Sequence, residues 1–292
     1  MPLSRVDLDF VCNGDEYMEK GGLPAMVSMC RRSSVPCSVH VLYSDLSDAT
    51  VGRCRKAFSS LCPGHSLSMS MIPDEYMELV GATAVRQYGV DCVKLFLQDI
   101  VDHDGDVFVY NDCDTVTVGD VGAYASRCVE AGLGTKYPIG LARNMVYKGK
   151  VQIFKYFGGF HIGSQRMLRD GGYGRDVACR MLMQAPLLPS MHYNSDPACV
   201  DGRILELSPY WLFTRFFTSA DYKMDDSDLN EMYNAVHPLG FSDYDSSRYW
   251  DFAECYHFSG PDKPWRGGGS QPGRGVEEWR EVYGRCREAM DA

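Results

Sequence analysis

The stretch DVFVYNDCDTVTVGD, residues 106–120, decides the predicted fold. Its first half, from Val107 to Tyr110, is a run of β-branched and aromatic residues typical of a strand buried on both faces of a parallel sheet. The run is interrupted at Asp112-Cys113-Asp114 and then resumes. Because side chains at i and i+2 of an extended chain point the same way, Asp112 and Asp114 should converge while Cys113 faces away. Two buried carboxylates need a cation, so the stretch predicts a magnesium or manganese site beside a phosphate.

The composition limits the class of protein. At 292 residues, the chain can bury the core of one large α/β domain or of two small ones. The formal charge of −10 disfavours nucleic acid or anionic lipid as the main partner, so an anionic substrate must find its positive charge locally. The start, MPLSRVDLDF, has no signal-peptide pattern, and no apolar run approaches the roughly 20 residues of a membrane helix. These features predict a cytoplasmic protein without a transmembrane segment.

The twelve cysteines do not form a recognisable framework. They are scattered, with no CxxC pair and no zinc-like spacing, and Cys12, Cys37 and Cys92 lie within apolar runs. In a chain without a secretion signal, this distribution predicts reduced thiols in the core.

Strand and helix patterns alternate along the chain. The predicted strands are residues 7–13, 38–43, 66–72, 139–145, 159–164 and 204–207, in addition to the strand that ends at Asp112. The predicted helices are residues 17–30, 48–61, 90–101 and 225–235, with one more inside 167–184. This alternation predicts βαβ units and a mostly parallel sheet, whose ligands bind beyond the carboxyl ends of the strands.

The C-terminal part has a different composition. Residues 266–275, RGGGSQPGRG, are predicted to be a flexible linker. Beyond them, apolar residues at helical spacing predict a final amphipathic helix that either docks back or forms a homodimer surface. The predicted division is therefore 1–265 for the main domain and 266–292 for the linker and helix.

A second group of chemically active residues lies in YHFSGPDKPW, residues 256–265. His257 is a softer donor than a carboxylate and suits manganese better than magnesium. Gly260 allows backbone N–H groups to approach a ligand, and Lys263 offers a point charge to a phosphate oxygen. The group predicts a clamp for a diphosphate and a metal ion.

Segments along the chain resemble glycosyltransferase family 8, the retaining enzymes that include glycogenin and bacterial galactosyl- and glucosyltransferases. The resemblance covers about residues 7–266 and is carried, in the family's order, by VCNGDEY (11–17), VHVLYSDLSD (39–48), VKLFLQDIV (93–101), YNDCDTVTVGD (110–120), GFHIGSQRML (159–168), DGRILEL (201–207) and HFSGPDKPW (257–265). It implies an α/β GT-A fold, a Rossmann-like single domain with a mostly parallel central sheet plus a C-terminal helix. It also implies a UDP-sugar donor, Mn²⁺ or Mg²⁺, and a carbohydrate or glycan acceptor.

The resemblance also implies roles for individual residues. Asp112, Asp114 and His257 would be the metal ligands, and Gly260 and Lys263 would hold the diphosphate. The remaining residues implied to lie around the donor are Cys12, Asn13, Asp15, Tyr17, Lys94, Cys113 and His161. Among them Tyr17 would stack on uracil, although it could serve packing alone, and Lys94 would face the sugar or phosphate unless it reaches solvent.

The sequence departs from the family pattern at two places. His161 stands where the family has Asn or Asp beside the sugar, and it could equally be a buried hydrogen-bonding residue. The family's Asp-Gln pair near its catalytic position is not intact, and only Asn194 or Asp196 can be placed there. The predicted catalytic residues are therefore Asp196, Asn194 and Lys94.

The predicted reaction is metal-dependent retaining transfer of a hexose from a UDP-sugar to a sugar or other hydroxyl. A metal ion and a lysine on the diphosphate make it a good leaving group, and the transition state is oxocarbenium-like. The acceptor can attack from the leaving-group face, or Asp196 can form a covalent intermediate. Two alternatives stay open, namely a degenerate protein that only binds a nucleotide sugar and a metal-dependent phosphohydrolase.

Overall fold

The structure, a computed structural model, describes residues 3–82, 86–148, 151–171, 203–207, 213–214, 254–258, 263–266 and 274–292. Within these ranges, a seven-stranded sheet has helices on both faces, and a three-stranded sheet continues from one of its central strands. No helix in the described ranges is long and apolar enough to cross a membrane.

The central sheet is mostly parallel. The strands, in chain order, are β1 (Val6–Cys12), β2 (Cys37–Tyr43), β3 (Ser66–Met71), β4 (Val107–Asn111), β5 (Thr115–Thr117), β6 (Ile139–Lys148), β7 (Val151–Ser164), β8 (Ile204–Leu207), β9 (Phe213–Thr214) and β10 (Cys255–His257). The large sheet has the order β3-β2-β1-β4-β7-β6-β8, and the small sheet has the order β5-β10-β9. In the large sheet only β7 runs antiparallel to its neighbours. The predicted sheet is confirmed, although β6 and β7 are longer than the predicted short strands.

The resumption of the strand after Asp114 is the main correction. Thr115–Thr117 does not extend β4 but forms β5 in the small sheet, where it pairs with β10. The interruption at Asp112 and Asp114 is therefore the boundary between two sheets.

The structure contains most of the predicted helices together with helices that were not predicted. They are α1 (Asp15–Tyr17), a π-helix (Met18–Gly22), α2 (Leu23–Arg32), α3 (Asp48–Leu61), α4 (Asp74–Ala82), a 3₁₀-helix (Arg86–Phe96), α5 (Leu97–Ile100), α6 (Val121–Glu130), α7 (Gln165–Asp170) and α8 (Arg274–Asp291). The sequence patterns did not predict α4 or α6. Residues 90–101 are mostly 3₁₀ rather than regular α-helix, and the predicted helix 225–235 lies outside the described residues.

The glycine pair after Tyr17 does not break the first helical run. Gly21 lies in the π-helix, where an added Cβ would be 2.8 Å from the Cys113 carbonyl oxygen and 2.9 Å from the Trp265 ring. Glycine is needed there because the backbone at Cys113 and the Trp265 ring both approach closely. Pro24 fits in the first turn of α2, where its missing N–H costs nothing.

The core is divided by the sheet. Leu8 and Phe10 of β1 contribute to the core formed with α2, α3 and α8, whereas Phe108 and Tyr110 of β4 contribute to the core formed with α4 and the 3₁₀-helix. Both strands are buried along their whole length, which for β4 confirms the prediction. The ten cysteines of the described residues are all buried and none is disulfide-bonded, which agrees with the predicted core thiols.

The final helix packs within the chain. Its buried residues Trp279, Val282 and Cys286 lie against the core beside α2 and α3, and the Trp279 Nε1–H donates to the Lys20 carbonyl at 2.9 Å. The helix begins at Arg274, inside the stretch predicted to be a linker. The rest of that stretch, residues 267–273, lies outside the described ranges.

Candidate active site

The turn that carries Asp112 and Asp114 is held by hydrogen bonds from both of its ends. The Thr115 hydroxyl donates to the Asp112 carbonyl at 3.0 Å, and the Asn111 side-chain amide donates to the same oxygen at 3.3 Å. The Phe258 N–H donates to the Asp114 carbonyl at 2.8 Å. The turn is therefore fixed at the carboxyl end of β4, the end at which open α/β sheets bind ligands.

Strand pairing brings His257 to this turn from 143 positions along the chain. β10 runs antiparallel to β5, with His257 opposite Thr115. The imidazole Nε2 lies 3.0 Å from Asp114 Oδ1 and 3.4 Å from Asp112 Oδ2, so that one ligand atom from each of the three residues lies within 4.8 Å of the others. The two carboxylates converge, as the i, i+2 rule predicts.

Cys113 faces the other way. Its side chain is buried in the core, and its thiol donates to the Val11 carbonyl at 3.3 Å. The thiol therefore lies away from the converging carboxylates, and only the backbone of Cys113 lies beside them.

Two ammonium groups balance the carboxylates. Lys263 Nζ contacts Asp114 Oδ2 and donates to the Phe258 carbonyl at 2.7 Å, and Lys94 Nζ lies 3.8 Å from Asp112 Oδ1. Burial by itself would raise the pKa of the Asp114 carboxyl, but attraction to His257 and Lys263 lowers this pKa well below its ordinary value. Asp114 is therefore ionised at neutral pH, the form in which a carboxylate binds a metal ion.

The donor set fits a hard or borderline divalent cation. Two carboxylates and one imidazole suit manganese, and magnesium accepts the carboxylates more readily than the imidazole. The side chains of Asp114 and His257 are only 6% and 3% exposed, whereas that of Asp112 is 23% exposed. A ligand must therefore reach the cluster from the side of Asp112.

An aromatic residue that the sequence patterns did not single out supports Asp112. The Tyr110 hydroxyl donates to Asp112 Oδ1 at 2.6 Å, and Lys94 Nζ lies 5.4 Å from the centre of the Tyr110 ring. Tyr110 precedes Asp112 by two positions, so the same rule that pairs Asp112 with Asp114 could have identified it. Lys94 does not reach out to solvent, since its side chain is 14% exposed and points toward Asp112.

His161 lies directly behind Tyr110. It is opposite Tyr110 in the β4–β7 pairing, and the two rings stack with their centres 5.0 Å apart. Burial, together with the nearby charge of Lys94, lowers the pKa of His161 to about 3. The imidazole is therefore neutral at physiological pH.

The loop after β1 contains residues implied to surround the nucleoside. Cys12 is buried in the core, and Asn13 is exposed. Asp15 accepts hydrogen bonds from the Ser47 N–H at 2.8 Å and from the Ser47 hydroxyl at 2.7 Å, and these bonds lower the pKa of Asp15. Ser47 also caps α3, by accepting from the Thr50 N–H. Asp15 thus ties this loop to the start of α3.

Tyr17 is connected to the lysine of the clamp. Its half-buried ring meets the Trp265 ring edge-on with centres 5.7 Å apart, and Lys263 Nζ lies 5.8 Å from the Tyr17 ring centre. The first loop and the closing motif are therefore in contact. Gly260, Asn194 and Asp196 lie outside the described residues, so their predicted roles stay predictions.

Solved structures show which fold this arrangement belongs to. The galactosyltransferase LgtC, in complex with donor and acceptor sugar analogues, is similar with a TM-score of 0.63 at 14% identity, over 96% of this chain and 95% of LgtC. The bifunctional glycosyltransferase WbbM is similar with a TM-score of 0.64 at 13% identity, over 96% of this chain and 50% of WbbM. The chain has a GT-A fold. This confirms the predicted fold class.

The similarity is one of structure. The glycosyltransferase GlyE of Streptococcus pneumoniae is also similar, with a TM-score of 0.61 at 14% identity over 98% of this chain and 63% of GlyE. The chain thus spans about half of WbbM and less than two thirds of GlyE, but nearly all of LgtC. No protein-family model matches the chain, and no curated protein matches its sequence. Membership of family 8 stays a prediction.

Proposed function

We propose that this protein transfers a hexose from a UDP-sugar to a hydroxyl of a carbohydrate or glycan acceptor, with retention and with a divalent metal ion. The observation that carries the proposal is the convergence of Asp112, Asp114 and His257 at the carboxyl end of β4. The GT-A fold supports it, because similar structures include a galactosyltransferase that holds donor and acceptor analogues.

Asp112, Asp114 and His257 are the residues that would hold the ion, manganese or magnesium. When bound, such an ion supplies Lewis-acid stabilisation of the leaving diphosphate. The chain adds positive charge of its own, because Lys263 and Lys94 lie on either side of the carboxylates. This local charge offsets the overall formal charge of −10, which would otherwise repel an anionic donor.

Lys263 is the residue assigned to the diphosphate. Its ammonium is held between the Asp114 carboxylate, the Phe258 carbonyl and the Tyr17 ring. A phosphate oxygen near Asp114 would therefore meet a positioned charge without reorganisation of the lysine, which is the condition for electrostatic stabilisation of a leaving group. Gly260 belongs to the same clamp in this proposal.

Tyr110 and His161 are positioning residues. Tyr110 orients Asp112 through its hydroxyl, and His161 supports the Tyr110 ring by stacking. Lys94 lies beside both Tyr110 and Asp112 and is assigned to the sugar or phosphate side of the donor. On the nucleoside side, Tyr17 is assigned to stacking on the uracil. Asn13, which is exposed on the same loop, is assigned to a contact with the nucleoside.

The bond changes need no strong nucleophile on the described residues. The bond from the anomeric carbon to the phosphate oxygen breaks, a bond to the acceptor oxygen forms on the same face, and the acceptor proton goes to the departing phosphate oxygen. Asp196 remains the proposed nucleophile if the reaction uses a covalent intermediate, and Asn194 is the alternative residue for the family's catalytic position.

The decisive experiment is nucleotide release from a panel of UDP- and GDP-sugars, with manganese, with magnesium and with EDTA. We expect UDP release only from a UDP-hexose and only with a metal ion, and faster release when sugar acceptors are added. Metal-dependent donor binding without release would instead support the degenerate binding protein. Phosphate release from simple phosphate esters would support the phosphohydrolase, and equal UDP release with EDTA would refute the metal-dependent mechanism.

A further inference from the structure

A second cluster of metal-binding side chains lies on the other side of the fold. Cys30 is in the last turn of α2, Cys37 begins β2, Cys62 ends α3, and His65 directly precedes β3. One ligand atom each from Cys30, Cys37 and His65 lies within 4.8 Å of the others. Burial raises the pKa of the Cys30 thiol, and the neighbouring thiols of Cys37 and Cys62 raise it further, so Cys62 lies beside Cys30. The cluster cannot be recognised from the spacing of these residues along the chain, because each ligand comes from a different element.

The cluster is separate from the candidate active site. β2 and β3 run parallel to β4, so their amino ends lie at the opposite edge of the sheet from Asp112 and Asp114. The three thiols are enclosed, with Cys30 and Cys37 each 1% exposed and Cys62 2% exposed. Such a site has no access for a substrate, and its role is structural.

The backbone already holds the imidazole in place. The Cys37 N–H donates to His65 Nδ1 at 3.0 Å, and the His65 N–H donates to the Cys62 carbonyl at 3.2 Å. Nδ1 accepts this hydrogen bond, so it is the unprotonated ring nitrogen and the atom whose lone pair can bind a metal ion instead. Coordination through Nδ1 would replace the bond from Cys37.

The ligand types select zinc. A tetrahedral zinc ion with Zn–S bonds of about 2.3 Å places its ligands roughly 3.7 Å apart, so the ligand atoms of Cys30, Cys37 and His65, which already lie within 4.8 Å of one another, need to move little. Three sulfurs and one imidazole form a Cys₃His set, which suits zinc and not the hard cations expected at Asp112 and Asp114.

We propose that Cys30, Cys37, Cys62 and His65 form a structural zinc site that ties α2 and α3 to β2 and to the edge strand β3. Binding replaces the thiol protons, so that up to three protons are released for each Zn²⁺ bound. Zinc would stabilise the folded chain, since the four ligands are brought together only by folding.

The test is the metal content of the full-length protein after growth with zinc and removal of loose metal. We expect about one zinc ion per chain in the wild type. Cys37→Ser and Cys62→Ser should lose it, whereas Cys128→Ser, which alters a buried cysteine of α6, should keep it. A zinc chelator should lower the melting temperature of the wild type and leave that of Cys37→Ser unchanged.

Three outcomes would overturn the proposal. The first is a wild type that neither retains zinc nor is stabilised by added Zn²⁺, a measurement that does not depend on any variant folding. The second is zinc that survives in Cys37→Ser and Cys62→Ser. The third is a disulfide, seen as two thiols missing from the twelve when the unfolded chain is titrated without reductant. Asp114→Asn should keep the zinc, which separates this site from the proposed transferase site.

Discussion

Along β1, Asp7 and Asp9 each meet a histidine of their own, whereas at the end of β4 two aspartates meet a single histidine. His40 Nε2 lies 3.0 Å from Asp7 Oδ1, and His103 Nε2 lies 2.8 Å from Asp9 Oδ2. We refer to these four residues as the β1 network. The side chains of Asp9 and His103 have no exposed surface at all.

At the candidate active site the balance is different. Asp112 and Asp114 share His257, and the two lysines that complete the charge balance come from separate parts of the chain. The Asp112 side chain is also partly exposed. In the β1 network each carboxylate is paired with its own histidine, although Asp9 Oδ1 and His103 Nδ1 have no hydrogen-bond partner within the part of the chain that the structure describes. At the candidate active site two carboxylates share one imidazole and are balanced by two lysines. The candidate active site is therefore distinguished by two converging carboxylates that a ligand can reach, and not by a buried Asp–His pair alone.

The strongest test of this contrast is Asp114→Asn. The change removes a ligand charge while keeping the shape of the side chain, so we expect metal-dependent UDP release to fall by roughly 100-fold or more. The measurement is kcat/KM at a temperature where circular dichroism shows the variant to be folded. Asp48→Asn, on the exposed first turn of α3, is the control. Turnover close to that of the wild type would contradict the assignment of the site.

The complementary change in the β1 network is Asp9→Ala. It leaves the buried His103 Nε2 without its partner, so we expect the free energy of unfolding to fall by about 3 kcal/mol. Urea denaturation at neutral pH measures this loss, while turnover by the folded fraction should be unchanged. Arg5→Ala, which breaks the exposed Arg5–Asp104 pair, should cost less than about 1 kcal/mol. A folded Asp9→Ala protein of normal stability but without activity would show that Asp9 has a functional role and not a structural one.

The pH dependence of the free energy of unfolding tests the region between the β1 network and the candidate active site. His161 is neutral in the folded protein because its pKa is lowered to about 3, whereas the unfolded chain takes up a proton near 6.5. The contribution of neutral His161 to the free energy of unfolding is therefore fully present above pH 6.5 and is lost as the pH falls toward 3. From pH 7 to pH 5 we expect a loss on the order of 2 kcal/mol from this group.

Urea denaturation of the wild type and of His161→Phe at both pH values isolates that contribution. Phenylalanine keeps a ring against Tyr110 but cannot be protonated, so the variant should lose less stability between pH 7 and pH 5 than the wild type does. Equal losses in the two proteins would show that His161 is protonated in the folded state.

The smallest effect is expected from Tyr110→Phe. The variant keeps the ring between Lys94 and His161 but loses the hydroxyl that donates to Asp112. We expect the manganese concentration for half-maximal turnover to rise several-fold, by about 1 kcal/mol of binding free energy, with little change in the melting temperature. An unchanged manganese requirement would show that this hydrogen bond does not orient Asp112.

Local rules succeeded where the determining contacts are close in sequence. The cap at Ser47, the convergence of Asp112 and Asp114 and the outward turn of Cys113 each depend on neighbours within a few positions. The same rules failed for Thr115–Thr117, because its β propensity is correct but its partner strand is remote. These local rules also did not predict the proposed zinc site, whose ligands lie on separate elements.

The sequence by itself determined the alternation of strands and helices, the buried strand before Asp112 and the types of side chain available for a metal and a phosphate. These follow from periodicity and side-chain chemistry, which act over a few residues. Only the tertiary structure decided that His257 reaches Asp114, that Lys94 faces Asp112 rather than solvent, and that Asp7 and Asp9 each pair with a histidine. Strand register and core packing join residues that are far apart along the chain, by as much as 143 positions for His257 and Asp114, and the free energy of those contacts exists only in the folded chain.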